Sequence, residues 1–186
     1  MSHPAPIRPQ PRPSRGRAFR AANGEVFRLR AIHPDDVSGL QRAFARLTPE
    51  QVRQRTFHRM RELSTEAATR LVRVDPAQGV AYVIVDAAGE IRGEARFHLD
   101  ADRPSAEFAV ITDPALAGQG LGRALMKRLV SEARKRGLHE LWGTVLAQNA
   151  QMLDFSRLLG ASRELVADEP DVVRVRFDLS RRLRRL

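Results

Sequence analysis

The sequence predicts a mixed α/β domain in which helices flank a mainly antiparallel sheet of about seven strands. Between residues 79 and 111, apolar and polar residues alternate with the period of half-buried strands. Residues 121–136 place apolar side chains three and four positions apart, the spacing of an amphipathic helix. The strand-like residues 140–146 follow, which predicts one right-handed strand–helix–strand unit at the centre of the sheet.

Length and charge distribution indicate one domain with two tails. The 186 residues suffice for a single core. We expect a disordered Pro/Arg-rich tail at residues 1–22, a folded domain at 23–180 and a basic tail at 181–186. Five arginines lie in residues 1–20 and four in 181–186, with no acidic residue in either stretch, which leaves +1 of the net charge of +10 for residues 21–180. The basic character therefore belongs to the ends.

Composition excludes several classes of site. The chain has no cysteine, so it has neither disulfides nor a thiolate zinc site nor a cysteine nucleophile. The five histidines are scattered without metal-ligand spacing, and we expect no metal. Apolar runs are too short to cross a membrane, and the N-terminus lacks the apolar segment of a secretory signal. We expect a cytoplasmic protein that does not bind a membrane.

The N-terminal part predicts one strand and then short helices. Residues 26–32 alternate as a first strand. Two or three helices follow between residues 34 and 74. One begins at Thr48, which together with Gln51 forms a capping box, and another begins at Ser64.

Three strands and two hairpin-like connections follow. We predict strands at residues 79–86, 91–99 and 106–111, with a turn at 87–90 and a second loop at 100–104. In the middle strand, simple alternation assigns side chains to two faces. The first face carries Ile91, Ala95, Phe97 and Leu99, and the second carries Arg92, Glu94, Arg96 and His98.

The C-terminal part predicts a late helix and a closing hairpin. Asn149 precedes a helix that runs to Leu159 and ends at Gly160. Residues 163–167 and 172–179 have the pattern of two strands.

A glycine-rich turn opens directly into the helix at residues 121–136. Its sequence is Gln119-Gly120-Leu121-Gly122-Arg123-Ala124. Glycines let the backbone approach a ligand closely, and the unpaired N–H groups of a helix start favour an anion. The turn is either a phosphate site or a strand-to-helix connection that needs glycine. It is not a P-loop, since no Gly-Lys-Ser/Thr follows, and Arg123 stands where a dinucleotide fingerprint starting at Gly118 needs glycine.

This turn resembles the Gln/Arg-x-x-Gly-x-Gly/Ala signature of the GCN5-related N-acetyltransferases, the GNAT family. Residues 149–160, from Asn149 to a Leu-Gly pair, resemble the late helix of that family. The resemblance extends over residues 26–179. Residues 48–57, Leu63-Ser64 and Asp75 are most similar to bacterial protein-lysine acetyltransferases that act on acyl-CoA synthetases.

The resemblance implies acetyl-CoA as cosubstrate. Its pyrophosphate would bind the backbone of the turn, and its pantetheine arm would pair with the strand before it. Asn149 either contacts the cofactor or serves only as a helix cap. The implied cofactor-binding residues are Val110, Ile111, Thr112, Gln119, Gly120, Leu121, Gly122, Arg123, Ala124 and Asn149.

The resemblance also assigns catalytic residues for attack by an amine. Glu107 is the candidate general base, because its apolar neighbours favour a carboxylate that takes up a proton. The alternative is a surface glutamate, and Glu94 and His98 are the other candidates for the base. Ser156 stands where the family often has a tyrosine acid, and it is either a proton donor or a plain helix serine.

The implied activity is acetyl transfer to an amine, with a protein lysine as the favoured acceptor and a small amine as the alternative. A different class of function is a non-catalytic acyl-CoA-binding module that docks on nucleic acid or an acidic partner through its arginine-rich tails. The assembly is expected to be a monomer or a homodimer.

Overall fold

A computed structural model describes residues 16–56, 62–167 and 169–180. Phe57, residues 1–15 of the predicted tail and the C-terminal tail at 181–186 lie outside this part. No helix within the described ranges combines the length and hydropathy of a membrane span.

The described residues form eight strands and five α-helices. The strands are β1 (Arg17–Arg20), β2 (Val26–Ala31), β3 (Gly79–Val85), β4 (Ile91–Leu99), β5 (Ser105–Thr112), β6 (Glu140–Leu146), β7 (Ser162–Leu165) and β8 (Val172–Asp178). The helices are α1 (Val37–Ala45), α2 (Pro49–Thr56), α3 (Thr65–Val72), α4 (Leu121–Lys135) and α5 (Ala150–Leu158). The predicted mixed α/β class with a mainly antiparallel sheet is confirmed.

One strand was not predicted. β1 lies inside the stretch assigned to the disordered tail at residues 1–22, and it pairs antiparallel with β2 at the sheet edge. Phe19 stacks on Phe27 with ring centroids 5.9 Å apart, which ties this short strand to the core. The tail prediction is therefore wrong for residues 17–20, because a four-residue strand carries too little periodicity to be recognised.

The strands lie in the order β1-β2-β3-β4-β5-β6-β8-β7. Neighbours are antiparallel except β5 and β6, which are parallel and joined through α4. This pair is the predicted strand–helix–strand unit. Helix starts follow the expected capping chemistry: Thr48 and Gln51 exchange reciprocal hydrogen bonds, and the Ser64 hydroxyl accepts from the Ala67 N–H.

The sheet has a covered face on each side. The α4 face packs against α4 and α5 through side chains that include Phe97, Phe108, Leu125, Leu129 and Phe177. The α1 face packs against α1 and α3 through side chains that include Leu40, Val72, Val83, Val85 and Ile91.

A bulge in β4 corrects one predicted face. Val85 pairs with Ile91, but Ile84 pairs with Gly93, so Arg92 is an extra residue in β4. Ile91 consequently packs on the α1 face, while Ala95 and Phe97 pack on the α4 face. The prediction that all three share a face is wrong, because a bulge inverts the alternation beyond it.

Candidate active site

The candidate site is a cleft where the two central parallel strands separate. β5 and β6 pair only through Ser105–Glu107 and Glu140–Trp142, although both strands continue beyond this point. The gap between them forms a cleft of about 880 Å³. The backbone edge of β5 that faces β6 is left open there, so it can pair with an extended ligand.

The cleft passes from one side of the sheet to the other. Its α4-face end is bounded by the glycine-rich turn and by α5. Its α1-face end, which we call the acceptor mouth, is bounded by α2, β4 and the start of the β5–β6 separation. The side chains at the acceptor mouth are Gln51, Gln54, Arg55, Arg96, His98 and Glu107. A ligand can therefore reach from the turn through the sheet to Glu107.

The glycine-rich turn presents a concave backbone to the cleft. Gly118 and Gly120 have φ of 76° and 89°, the left-handed region that favours glycine. The hydrogen bonds of α4 begin with Ala124 N–H to Gly120 C=O at 3.0 Å, so the N–H groups of residues 121–123 lie at the free end of the helix. The geometry and the helix dipole suit a phosphate.

Two N–H groups that were expected to bind this phosphate instead donate hydrogen bonds to backbone carbonyls within the turn. The Gln119 N–H donates to Leu116 C=O at 3.2 Å, and the Ala124 N–H donates to Gly120. Leu121 contributes only its backbone, since its side chain is buried in the core. Arg123 is exposed on the cleft wall, where its charge can support an anion.

The predicted pantetheine strand lines the cleft along its whole length. Val110, Ile111 and Thr112 are half-buried, and each pairs with β4 on its other side. Their open edge faces the gap. This arrangement fits a ligand whose amides add a partial strand to β5.

The late helix contributes packing and a cap. Asn149 lines the cleft, and its Oδ1 accepts from the Met152 N–H at 3.0 Å, so it caps α5. A Cβ added to Gly122 would lie 3.2 Å from the Phe155 ring, which shows how closely the first turn of α4 packs on α5. Sequence reasoning missed Phe155 because only this packing brings it to the cleft.

Ser156 does not reach the cleft. Its side chain is fully buried, and its hydroxyl has no hydrogen-bond partner within the described ranges. Tyr82, the only tyrosine in the chain, is also buried, and its hydroxyl accepts from Arg128 at 2.8 Å. Burial raises the pKa of Tyr82, with the Arg128 charge acting in the opposite direction. The location of Ser156 argues against the proton-donor role assigned to it.

Glu107 and His98 face each other across neighbouring strands. The two residues are register partners on β5 and β4, and both are exposed at the acceptor mouth. Trp142 is the partner of Glu107 on β6. The exposed Glu107 carboxylate is open to an acceptor, whereas the sequence had suggested apolar surroundings.

The buried Glu94 carboxylate forms ion pairs with two arginines. Its side chain is 5% exposed and pairs with Arg96 at 2.6 Å and with Arg55 at 3.4 Å. A buried carboxylate that is held by two guanidiniums is not open to an acceptor amine. Glu94 therefore makes a weaker candidate for the base than Glu107.

Across residues 16–56, 62–167 and 169–180, no three His, Asp or Glu side chains meet as metal ligands.

Comparison with known proteins agrees with this architecture. A model of the acetyltransferase (GNAT) family matches residues 40–161. The chain belongs to the GNAT family. The expected family is thereby confirmed, and GNAT proteins transfer acetyl groups from acetyl-CoA to amines.

Individual GNAT relatives match most of the chain. An acetyltransferase of Pseudomonas aeruginosa is 27% identical over 160 residues, which cover 79% of this chain and 86% of the relative. Glucosamine 6-phosphate N-acetyltransferase 1 of Oryza sativa subsp. japonica is 32% identical over 137 residues, which cover 71% and 82%. The GNAT domain of S. lividans PAT superposes with a TM-score of 0.81 at 25% identity, over 87% of this chain and 96% of that domain.

Proposed function

We propose that this GNAT protein acetylates the side-chain amine of a protein lysine by direct attack on acetyl-CoA, with Glu107 as general base. The observation that carries the proposal is the cleft through the sheet. Free N–H groups of the turn lie at one end, and the exposed Glu107 carboxylate lies at the other.

The donor half of the proposal follows from the turn and β5. The pyrophosphate binds the N–H groups of residues 120–123, and Arg123 adds positive charge. The pantetheine amides pair with the open edge of residues 110–112. This places the thioester near the point where β5 and β6 separate, beside Phe108 and Gly143.

The acceptor half follows from the chemistry of amines. A lysine ammonium has a pKa of about 10.4, so roughly one in 10³ is deprotonated at neutral pH, a cost of about 4.6 kcal/mol. Glu107 accepts the proton, and the free amine attacks the thioester carbonyl. His98, which lies opposite Glu107, is the alternative base.

Departure of the thiolate completes the reaction. The carbon–sulfur bond breaks as the amide forms, and CoA leaves as a thiolate whose conjugate acid has a pKa of about 8.5. Solvent supplies its proton, because Ser156 and Tyr82 are buried away from the cleft. A thiol leaves readily enough to need no tyrosine acid.

The exposure of the acceptor mouth favours a protein lysine as the acceptor. The exposure of Glu107 and His98 permits an amine that belongs to a macromolecule. The similarity of residues 48–57 to protein-lysine acetyltransferases supports the same choice. A small amine is the second candidate, and the relative named for glucosamine 6-phosphate supports it.

Turnover separates these functions from simple binding. Thiol release from acetyl-CoA is measured with lysine-containing proteins and small amines, and labelled acetyl-CoA in native lysate identifies the acceptor. Glu107→Gln should lower kcat by about 10²-fold or more and leave the KM for acetyl-CoA unchanged. Glu66→Gln, at an exposed position of α3, is the matched control.

Two results would count against the proposal. Unchanged turnover in Glu107→Gln would remove Glu107 as the base. Tight acetyl-CoA binding without acetylation of any amine would favour the non-catalytic module, whose docking is tested by deleting residues 1–15 and 181–186.

A further inference from the structure

An arginine pair lies at the acceptor mouth beside the candidate base. Arg55 comes from α2 and Arg96 from β4, and both converge on the buried Glu94 carboxylate. Their side chains are 24% and 20% exposed. Two guanidiniums share one carboxylate, so the cluster has an excess of one positive charge in a partly desolvated place.

Arg96 has unused hydrogen-bonding capacity. Its Nε donates to Glu94 at 2.6 Å, and its Nη1 donates to Leu71 C=O at 3.2 Å. Its Nη2 is buried and has no partner among the described residues. Arg55 contacts Glu94 at 3.4 Å, a long and weak hydrogen bond. The weakly bonded Arg55 and the partly exposed Arg96 both line the cleft, so their guanidiniums retain N–H donors for an anionic ligand there.

The pair is close to the place where the amine must react. Arg96 is the register partner of Ala109, two residues along β5 from Glu107. Such diagonal neighbours have Cα atoms about 7–8 Å apart on one face of a sheet. Arg55, Arg96, His98 and Glu107 all line the acceptor mouth. An anion held by the arginines would therefore lie within a few bonds of an amine held at Glu107.

We propose that Arg55 and Arg96 bind a carboxylate that the acceptor carries next to its reactive amine. The planar fork of arginine suits such a carboxylate. The carboxylate belongs either to an acidic residue beside the target lysine or to the α-carboxyl group of a free amino acid. The proposal rests on the acetyl-transfer function proposed above and narrows its acceptor class.

The CoA phosphates do not fit this site as well. α4, whose N-terminus forms the phosphate turn, packs on the opposite face of the sheet from Arg96. The turn supplies its own N–H groups and Arg123. Binding of a CoA phosphate by Arg96 would appear as a higher KM for acetyl-CoA in an Arg96 variant.

Two pairs of acceptors test the proposal. The first pair is a capped pentapeptide with lysine between two glutamates and the same peptide with two glutamines. The second pair is L-methionine and L-methioninamide. We expect the carboxylate form to be preferred at least tenfold in kcat/KM in one of the pairs. The peptide pair identifies an acidic protein segment as the source, and the amino-acid pair identifies an α-carboxylate.

Variants show whether the arginines cause the preference. Arg96→Gln should raise the KM for the carboxylate-bearing acceptor at least tenfold, with little change for its neutral partner. The carboxylate preference of the variant is divided by that of the wild type. The two acceptors of a pair differ in amine pKa, and this difference cancels because it affects both proteins equally. Arg96→Lys keeps the positive charge but lacks the planar guanidinium, so it should recover part of the preference for the carboxylate-bearing acceptor. Arg70→Gln, exposed on α3, should leave it unchanged.

Loss of Arg96 also threatens the fold, because it removes one partner of buried Glu94. The double variant Glu94→Gln/Arg96→Gln removes the stranded charge, and thermal unfolding checks each protein. Calorimetric binding of the four acceptors to the CoA complex adds a readout that does not need turnover.

The outcomes separate this inference from the proposed function. A carboxylate preference in binding without turnover supports the anion site and overturns acetyl transfer. Turnover with equal use of both forms, or an Arg96→Gln effect confined to acetyl-CoA, overturns the anion site. Absence of both preference and turnover overturns both.

Discussion

Gly143 of β6 lies so close to Phe108 of β5 that an added Cβ would be 3.0 Å from the Phe108 carbonyl oxygen. The contact occurs directly after the last paired residues, Glu107 and Trp142. Glycine within a strand often marks such a close approach of backbones. The close approach of β5 and β6 at the end of their pairing therefore depends on the absence of a side chain at residue 143.

Gly143→Ala should perturb both the fold and the cleft. The methyl group must displace the β5 backbone, at a cost of about 1–3 kcal/mol. We expect a lower midpoint of thermal unfolding and weaker binding of acetyl-CoA by calorimetry. Gly39→Ala in α1 is the control, because its Cβ would meet the end of the flexible Ile91 side chain at 3.3 Å. Unaltered affinity in Gly143→Ala would show that the cleft tolerates the shift.

Gly120→Ala should weaken cofactor binding through the backbone alone. A Cβ at Gly120 meets nothing within 4 Å, but φ of 89° is strained for alanine by about 1–2 kcal/mol. Relaxation of that strain would move the N–H groups of the turn. Gly89→Ala is a matched control, since Gly89 has φ of 83° and similar open space in the turn between β3 and β4. Both variants should lose similar stability, and only Gly120→Ala should lose affinity for CoA.

Ser156→Ala should leave the rate of acetyl transfer unchanged. The Ser156 hydroxyl is buried without a described partner, so its removal relieves an unpaired polar group. We expect equal or slightly higher stability and an unchanged kcat in the thiol-release assay. A fall in kcat of tenfold or more at constant stability would restore Ser156 as the acid. Tyr82→Phe, tested in parallel, should likewise retain kcat.

Asp113 connects β4, β5 and the segment that follows α1. Its carboxylate is 3% exposed and accepts from Arg46 and Arg92 at 2.9 Å each. Burial acts to raise the pKa of Asp113, but the hydrogen bonds from Arg92 and the Ala115 N–H, with the charges of both arginines, outweigh it and lower that pKa. The charged carboxylate is therefore favoured in the folded protein.

Acid should remove the contribution of Asp113 to stability. Because its folded pKa lies below the unfolded value of about 3.9, this contribution is present above about pH 4 and is lost as pH falls through the folded pKa. Asp113→Asn should cost about 3 kcal/mol at pH 7, and this difference should shrink below pH 4. Denaturant unfolding at several pH values measures it. A difference independent of pH would contradict the role of the charge, and Glu66→Gln serves as the exposed control.

The parts of the fold that could be predicted from the sequence are those set by neighbouring residues along the chain. Side-chain periodicity located α4, α5 and most of the strands, and capping residues located the starts of α2 and α3. The glycine-rich turn was recognisable because a helix start with adjacent glycines has one characteristic chemistry. The bulge at Arg92 was not recognisable, since pairing with β3 creates it.

The sequence by itself determined the order of the elements, the turn that suits a phosphate and the glutamate that follows the start of β5. Tertiary structure alone decided that β5 and β6 stop pairing after Glu107 and Trp142, that Ser156 is buried, and that Arg55 meets Glu94 across 39 residues of chain. The reason is physical. Periodicity and capping depend on neighbours along the chain, whereas strand register, burial and ion pairing depend on which distant segments pack together.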